Sequence, residues 1–172
     1  MRKVVGAVLI VLVLAAVAYF GVASQQPAAA PRPAPSTADG IPAGATGAVV
    51  EYVHDGDTLF LDDGRKVRLL GVNTPEIGEH LECYGPEATD LLRSLLPEGA
   101  PVWVVHDVEP LDQYGRSLLF VYTADGLNVN LELLREGAAE VEMYKPNVLL
   151  RDEVYAAQDA ARDARLGLWG AC

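Results

Sequence analysis

Four short polar clusters hold most of the side chains in this chain that could do chemistry. Asp55-Gly56-Asp57-Thr58 sets two carboxylates around a glycine, and Asn73-Thr74-Pro75-Glu76 adds an amide oxygen, a hydroxyl and a third carboxylate in a proline-stiffened segment. Arg68 lies inside the run Val67–Gly71, and Asp112-Gln113-Tyr114-Gly115-Arg116 brings a second arginine. Each has an ordinary explanation alone: a turn, a solvent-facing strand arginine, a fixed loop, the mouth of a strand. Together they supply oxygen ligands for a hard cation, a carboxylate for a base, and two guanidiniums able to grip a phosphate through paired donors. That set suits phosphodiester hydrolysis with electrostatic stabilisation of the transition state.

The clusters lie far apart in sequence, so the elements between them must fold back on one another. Ala48–Val53, Thr58–Leu61 and Lys66–Gly71 are β-rich runs separated by Gly and Asp turns, with Asp62-Asp63-Gly64 as a hairpin signal. Gly85-Pro86-Glu87 opens a helix to Leu96, which Pro97-Glu98-Gly99 ends. Val102–His106 and Ser117–Tyr122 read as strands. Asn128 is placed to cap a helix through Glu136, with Gly137 just past its end. Arg151–Arg165 carries Val154, Ala157, Ala161 and Ala164 on one face, which predicts a third helix. The order β-β-β-α-β-β-α-(β)-α indicates an α+β fold, with a small twisted barrel as one candidate.

The whole chain has 172 residues and a net charge of −11, yet 51% of its residues are hydrophobic. The two excesses sit in different places. Met1-Arg2-Lys3 precedes an uncharged run, Val4–Ala23, long enough to span ~30 Å as a helix. Residues 1–24 therefore read as a signal peptide or a membrane anchor. Val22-Ala23-Ser24 offers a cleavage site, while the length favours an uncleaved anchor. With the positive end retained in the cytoplasm, everything after it is expected outside, membrane-anchored or secreted. Residues 25–46 hold five prolines and little apolar bulk, and read as a disordered Pro/Ala-rich linker. Residues 47–172 form the expected domain, with a net −13. Such a charge excludes a basic nucleic-acid-coating protein, but not a nucleic-acid enzyme with another means of neutralising phosphate.

The ordered series DGDT, VRLLGVNTPE, YGPEA, DQYGR and MYKPN resembles the staphylococcal nuclease (thermonuclease) family, from about Ala48 to Trp169. The resemblance implies a five-stranded OB-type β-barrel with three α-helices. It also implies Ca²⁺-dependent hydrolysis of DNA and RNA that leaves 3′-phosphates. Carried over position by position, Asp57 resembles the principal metal ligand and Asp55 its acidic partner. Asn73 and Thr74 complete the metal set, Thr74 through its carbonyl. Glu76 is similar to the residue that positions or deprotonates the attacking water. Arg68 and Arg116 match the arginines that hold the phosphate, while Tyr114, Tyr144 and Lys145 fall at substrate-binding positions.

Four departures from the family pattern weaken the grip on substrate. Asn73 stands where the pattern has Asp, which removes a charge from the metal site. Gln113 replaces a phosphate-contacting Lys, Glu142 replaces a pocket Tyr, and the loop Ile77–Glu82 carries Glu79 and Glu82 where relatives have lysines. Tight binding of a polyanion is therefore expected to depend on calcium and to tolerate moderate salt. The rival reading is a catalytically inactive OB-fold module that binds protein or single-stranded nucleic acid. Retention of Asp57, Arg68, Glu76 and Arg116 favours the enzyme.

Two cysteines in an exported chain permit one pairing, so a Cys83–Cys172 disulfide is expected. His54, His80 and His106 are scattered and lack zinc-ligand spacing. Trp103, Phe60, Phe120, Tyr122 and Trp169 read as packing residues. The domain is expected to be monomeric.

Overall fold

The computed structural model describes residues 40–172. The expected signal peptide or anchor (1–24) and residues 25–39 of the expected linker lie outside them. The described chain begins its regular structure at β1 (Thr46–Val53), followed by β2 (Thr58–Leu61) and β3 (Lys66–Leu69). These alternate inward and outward: Leu59, Leu61, Val67 and Leu69 are wholly buried, while Thr58 pairs with Arg68 and Phe60 with Lys66 across β2 and β3. Strands β5 (Pro101–Val105) and β6 (Ser117–Thr123) complete a closed barrel in the order β1-β2-β3-β6-β5. The β3–β6 pair is parallel and the other pairs are antiparallel. Closure leaves these five strands without an exposed edge.

The run Lys66–Gly71, expected as one strand, is broken. Gly71 has φ +77°, a left-handed conformation that a side chain resists, and the chain turns there out of the barrel. It continues as β4 (Gly71–Asn73), which pairs with β7 (Glu140–Glu142) as a separate two-stranded sheet. Buried Asn130 secures this corner, donating from Nδ2 to the Leu70 and Leu119 carbonyls and accepting the Val121 N–H.

Three helices close the core, as expected. Helix α1 (Gly85–Leu95) buries Ala88, Thr89 and Leu92. Helix α2 (Val129–Arg135) starts at Asn128, whose side chain accepts the Leu131 N–H at 2.9 Å. Helix α3 (Arg151–Asp163) buries Val154, Ala157 and Ala161, but ends before Ala164. Its fourth buried residue is Gln158, which accepts the Val141 N–H at 2.6 Å and so anchors β7. A single further turn, α4 (Leu168–Ala171), leads to Cys172. That residue forms the expected disulfide with Cys83, spanning 89 positions with a Cα–Cα distance of 6.0 Å. Phe120 and Tyr122 pack inside, whereas Trp103 is exposed and half-buried Phe60 stacks on Tyr52 with ring centroids 4.6 Å apart. Among the described residues no helix is long and apolar enough to cross a membrane.

Candidate active site

The turn between β1 and β2 is built by Asp55. Its Oδ1 accepts the N–H groups of Asp57 (3.1 Å) and Thr58 (2.7 Å), curling the backbone so that Asp57 points inward. Gly56 permits this turn to lie against the segment after β4: a Cβ there would sit 2.5 Å from Thr74 Oγ1. The Asp57 carboxylate accepts the Thr74 N–H at 3.1 Å and the Thr58 hydroxyl at 3.1 Å, with the Thr74 hydroxyl at 3.3 Å. Two segments remote in sequence thus meet at one buried carboxylate. Burial raises the Asp57 carboxyl above the ordinary range, and neighbouring Asp55 pushes the same way, although Arg68 and the hydrogen bonds oppose them.

Arg68 does not face solvent, despite its place on a strand. Its Nη1 donates to the Leu69 and Val72 carbonyls at 2.9 and 2.6 Å. Its Nη2 donates to Asn73 Oδ1 (3.1 Å) and Glu142 Oε2 (2.9 Å), and lies 3.3 Å from Asp57 Oδ2. Glu142 also accepts the Tyr144 hydroxyl through Oε1 at 2.7 Å, and that hydrogen bond raises the Tyr144 phenol above its ordinary value.

Arg116 is held by Asp112. Asp112 Oδ2 accepts the Arg116 Nε–H at 2.6 Å, while Oδ1 accepts the backbone N–H of Arg116 (2.8 Å) and of Tyr114 (2.9 Å). Burial works to raise the Asp112 carboxyl, but these hydrogen bonds outweigh it and leave it below the usual range. The guanidinium carbon lies 5.6 Å from the centre of the exposed Tyr114 ring.

Glu76 stands on a loop tied at both ends. Its N–H donates to Glu82 Oε2 and its carbonyl accepts the Glu82 N–H, both at 3.0 Å. Gly85 packs onto the same carbonyl so closely that a Cβ would lie 2.4 Å from it. Cys83, between Glu82 and Gly85, ties this loop to the C-terminus.

Nine of the ten catalytic, metal and substrate residues expected from the sequence line one cleft of about 580 Å³: Asp55, Asp57, Arg68, Asn73, Glu76, Tyr114, Arg116, Tyr144 and Lys145. The tenth, Thr74, is buried against Asp57. Glu109 and Asn147 also line this wall and carry no signal in the sequence, while Asp112 and Glu142, singled out there without a role, take one here as partners of Arg116 and Arg68. Asn147 joins two cleft loops, accepting the Glu109 N–H and donating to its carbonyl. The signal for Glu142 was visible as an acid in place of an aromatic, but its partner Arg68 lies 74 positions away.

Six carboxylates line the cleft against three cationic side chains. A polyanion entering this space meets repulsion unless a cation offsets it. Among the described residues no three His, Cys, Asp or Glu side chains converge as a metal cage. The candidate donors are instead two carboxylates (Asp55 and Asp57), the Asn73 amide and the oxygens of Thr74. An all-oxygen set of low charge suits a hard divalent cation that keeps positions for water and phosphate oxygens.

Residues 66–171 match the family model described as staphylococcal nuclease homologue. The thermonuclease of Staphylococcus intermedius is 36% identical over 127 residues, covering 70% of this chain and 74% of that protein. An uncharacterized endonuclease of Escherichia coli O157:H7 is 39% identical over 124 residues, with the same shares. Endonuclease YhcR of Bacillus subtilis is 34% identical over 152 residues, covering 80% of this chain but 12% of its own length.

Proposed function

This chain belongs to the staphylococcal nuclease family, and from that premise we propose that it is a calcium-dependent nuclease that hydrolyses phosphodiester bonds of DNA and RNA and leaves 3′-phosphate ends. The observation that carries the reading is the convergence of Arg68, Arg116, Glu76, Asp55 and Asp57 on one cleft. In this reading Arg68 and Arg116 take the two sides of the scissile phosphate, and their fixed forks stabilise the charge that grows on its oxygens. Glu76 orients the attacking water and accepts its proton, which requires its loop to be held still. Asp55, Asp57, Asn73 and Thr74 would hold the cation. When bound, the cation polarises a phosphate oxygen and offsets the cleft's acidity. Tyr114, Tyr144 and Lys145 contact the nucleotides that flank the scissile bond. The reading includes export: the domain acts outside the cytoplasm as a monomer, secreted or tethered by residues 1–24.

Digestion of plasmid DNA, single-stranded DNA and RNA by the purified full chain tests this. Cleavage is expected with Ca²⁺, weaker or absent with Mg²⁺, and absent with chelator, and the products should accept label at the 5′ hydroxyl without prior phosphatase. Cleavage that survives chelation, or products bearing 5′-phosphates, would overturn the reading.

A further inference from the structure

The Arg68 guanidinium is occupied by the protein itself. Both hydrogens on Nη1 go to backbone carbonyls, Leu69 and Val72. The two on Nη2 go to Asn73 Oδ1 and Glu142 Oε2, with Asp57 close beside. A guanidinium can present five donors in all. A phosphate oxygen approaching Nη2 from the cleft must therefore displace an existing acceptor. Asp57 is fixed by Thr58 and Thr74. Glu142 is different: its side chain is 33% exposed, it lines the cleft, and it bears the same formal charge as a phosphodiester.

On the reading of this cleft as a phosphodiester site, we propose that Glu142 is a specificity-determining residue, an internal carboxylate that occupies the phosphate-gripping guanidinium of Arg68 until a substrate phosphate displaces it. The β4–β7 register places it there: Glu142 pairs with Gly71, three residues beyond Arg68, which brings its carboxylate to 2.9 Å from Arg68 Nη2. Tyr144 then fixes the carboxylate from its other oxygen. A small phosphate that displaces Glu142 exchanges one ion pair for another and gains little. A polynucleotide recovers further contacts at Arg116, Lys145 and Tyr114, so the exchange favours it. Displacement also frees the Tyr144 hydroxyl for the incoming nucleotide. Glu142 thereby makes the grip on phosphate conditional on chain length and weakens retention of short products.

The test is Glu142→Gln, which keeps an oxygen for the Tyr144 hydroxyl and removes the competing charge. Steady-state cleavage of single-stranded DNA in Ca²⁺ should show KM lowered about tenfold with kcat within twofold of wild type. Inorganic phosphate, titrated calorimetrically into cation-free protein, should bind at least tenfold tighter to Glu142→Gln than to wild type. That gain should vanish in Glu142→Gln/Arg68→Gln. Unchanged or weaker phosphate binding by Glu142→Gln would overturn the proposal, as would a fall in kcat with KM unmoved, which marks a residue that only props Arg68. A wild type that cleaves nothing in any cation sinks the nuclease reading instead, and the phosphate titration still decides Glu142.

Discussion

Asp57 and Arg68 face each other at 3.3 Å with their side chains 11% and 12% exposed, yet the ion pair leaves the Asp57 carboxyl raised rather than lowered. Burial, with Asp55 beside it, outweighs the guanidinium and the hydrogen bonds from Thr74 and Thr58. The folded, cation-free protein therefore holds the Asp57 proton to higher pH than the unfolded chain does. Stability from this group is greatest below pH 3.8 and falls as pH rises through the folded value, because the unfolded chain binds fewer protons there. Thermal melts in chelator should show this decline in wild type and not in Asp57→Asn. Added Ca²⁺ should raise the wild-type midpoint, by a stabilisation of ~2.7 kcal/mol at a hundred times Kd, and leave Asp57→Asn unmoved.

Gly56→Ala should disrupt the site without replacing a ligand. Its Cβ would fall 2.5 to 2.8 Å from three Thr74 side-chain atoms, so Thr74 must move off Asp57. Overpacking of this kind destabilises by about 1–3 kcal/mol. Cation affinity, read by the Ca²⁺ dependence of the melting midpoint, should drop at least tenfold. An unchanged midpoint and affinity would mean that the two turns are not in register as described.

Asp112→Asn should act through Arg116. The amide keeps one acceptor and loses the charge that binds the Nε–H at 2.6 Å, so the guanidinium is free to rotate. We expect kcat/KM to fall about tenfold to a hundredfold, with melting at neutral pH lowered slightly, since the pair is partly exposed. The stability that Asp112 contributes is present above pH 3.8 and lost as pH falls through its depressed folded value.

The Cys83–Cys172 bond closes a loop of 89 positions next to the segment that holds Glu76. Replacing both cysteines by serine should cost about 3–5 kcal/mol in denaturant unfolding. Below the new transition, kcat should fall more than KM rises, because Glu82 and Gly85 lose their tether to the C-terminus. Equal unfolding midpoints for the two proteins would contradict this.

Much of this was legible in local residue order. Strand β2, the Asn128 cap and the Gly137 stop are set by neighbours a few positions away, and the structure places them as expected. Failures arose where a distant partner decides. Arg68 reads as a surface arginine until β7 brings Glu142 to it. Nothing in local order marks Gln158, whose role is set by the Val141 N–H it meets from β7. Lys66–Gly71 reads as one strand because its apolar run continues without a turn signal before Gly71; the left-handed turn at Gly71, stabilised by Asn130 from α2, ends it. Candidate site residues were recognised through the family resemblance more than through chemistry, since each cluster alone is an ordinary turn or strand end.

The most direct measurement of the central claim is the single-turnover rate of DNA cleavage, at saturating enzyme and Ca²⁺, for wild type and Glu76→Gln. At saturation, differences in binding drop out and only the chemical step remains. The predicted result is a rate at least a hundredfold slower for Glu76→Gln, with DNA bound as tightly as by wild type, and no cleavage by either protein in chelator. Equal rates for the two proteins, or wild-type cleavage in chelator, would contradict the account.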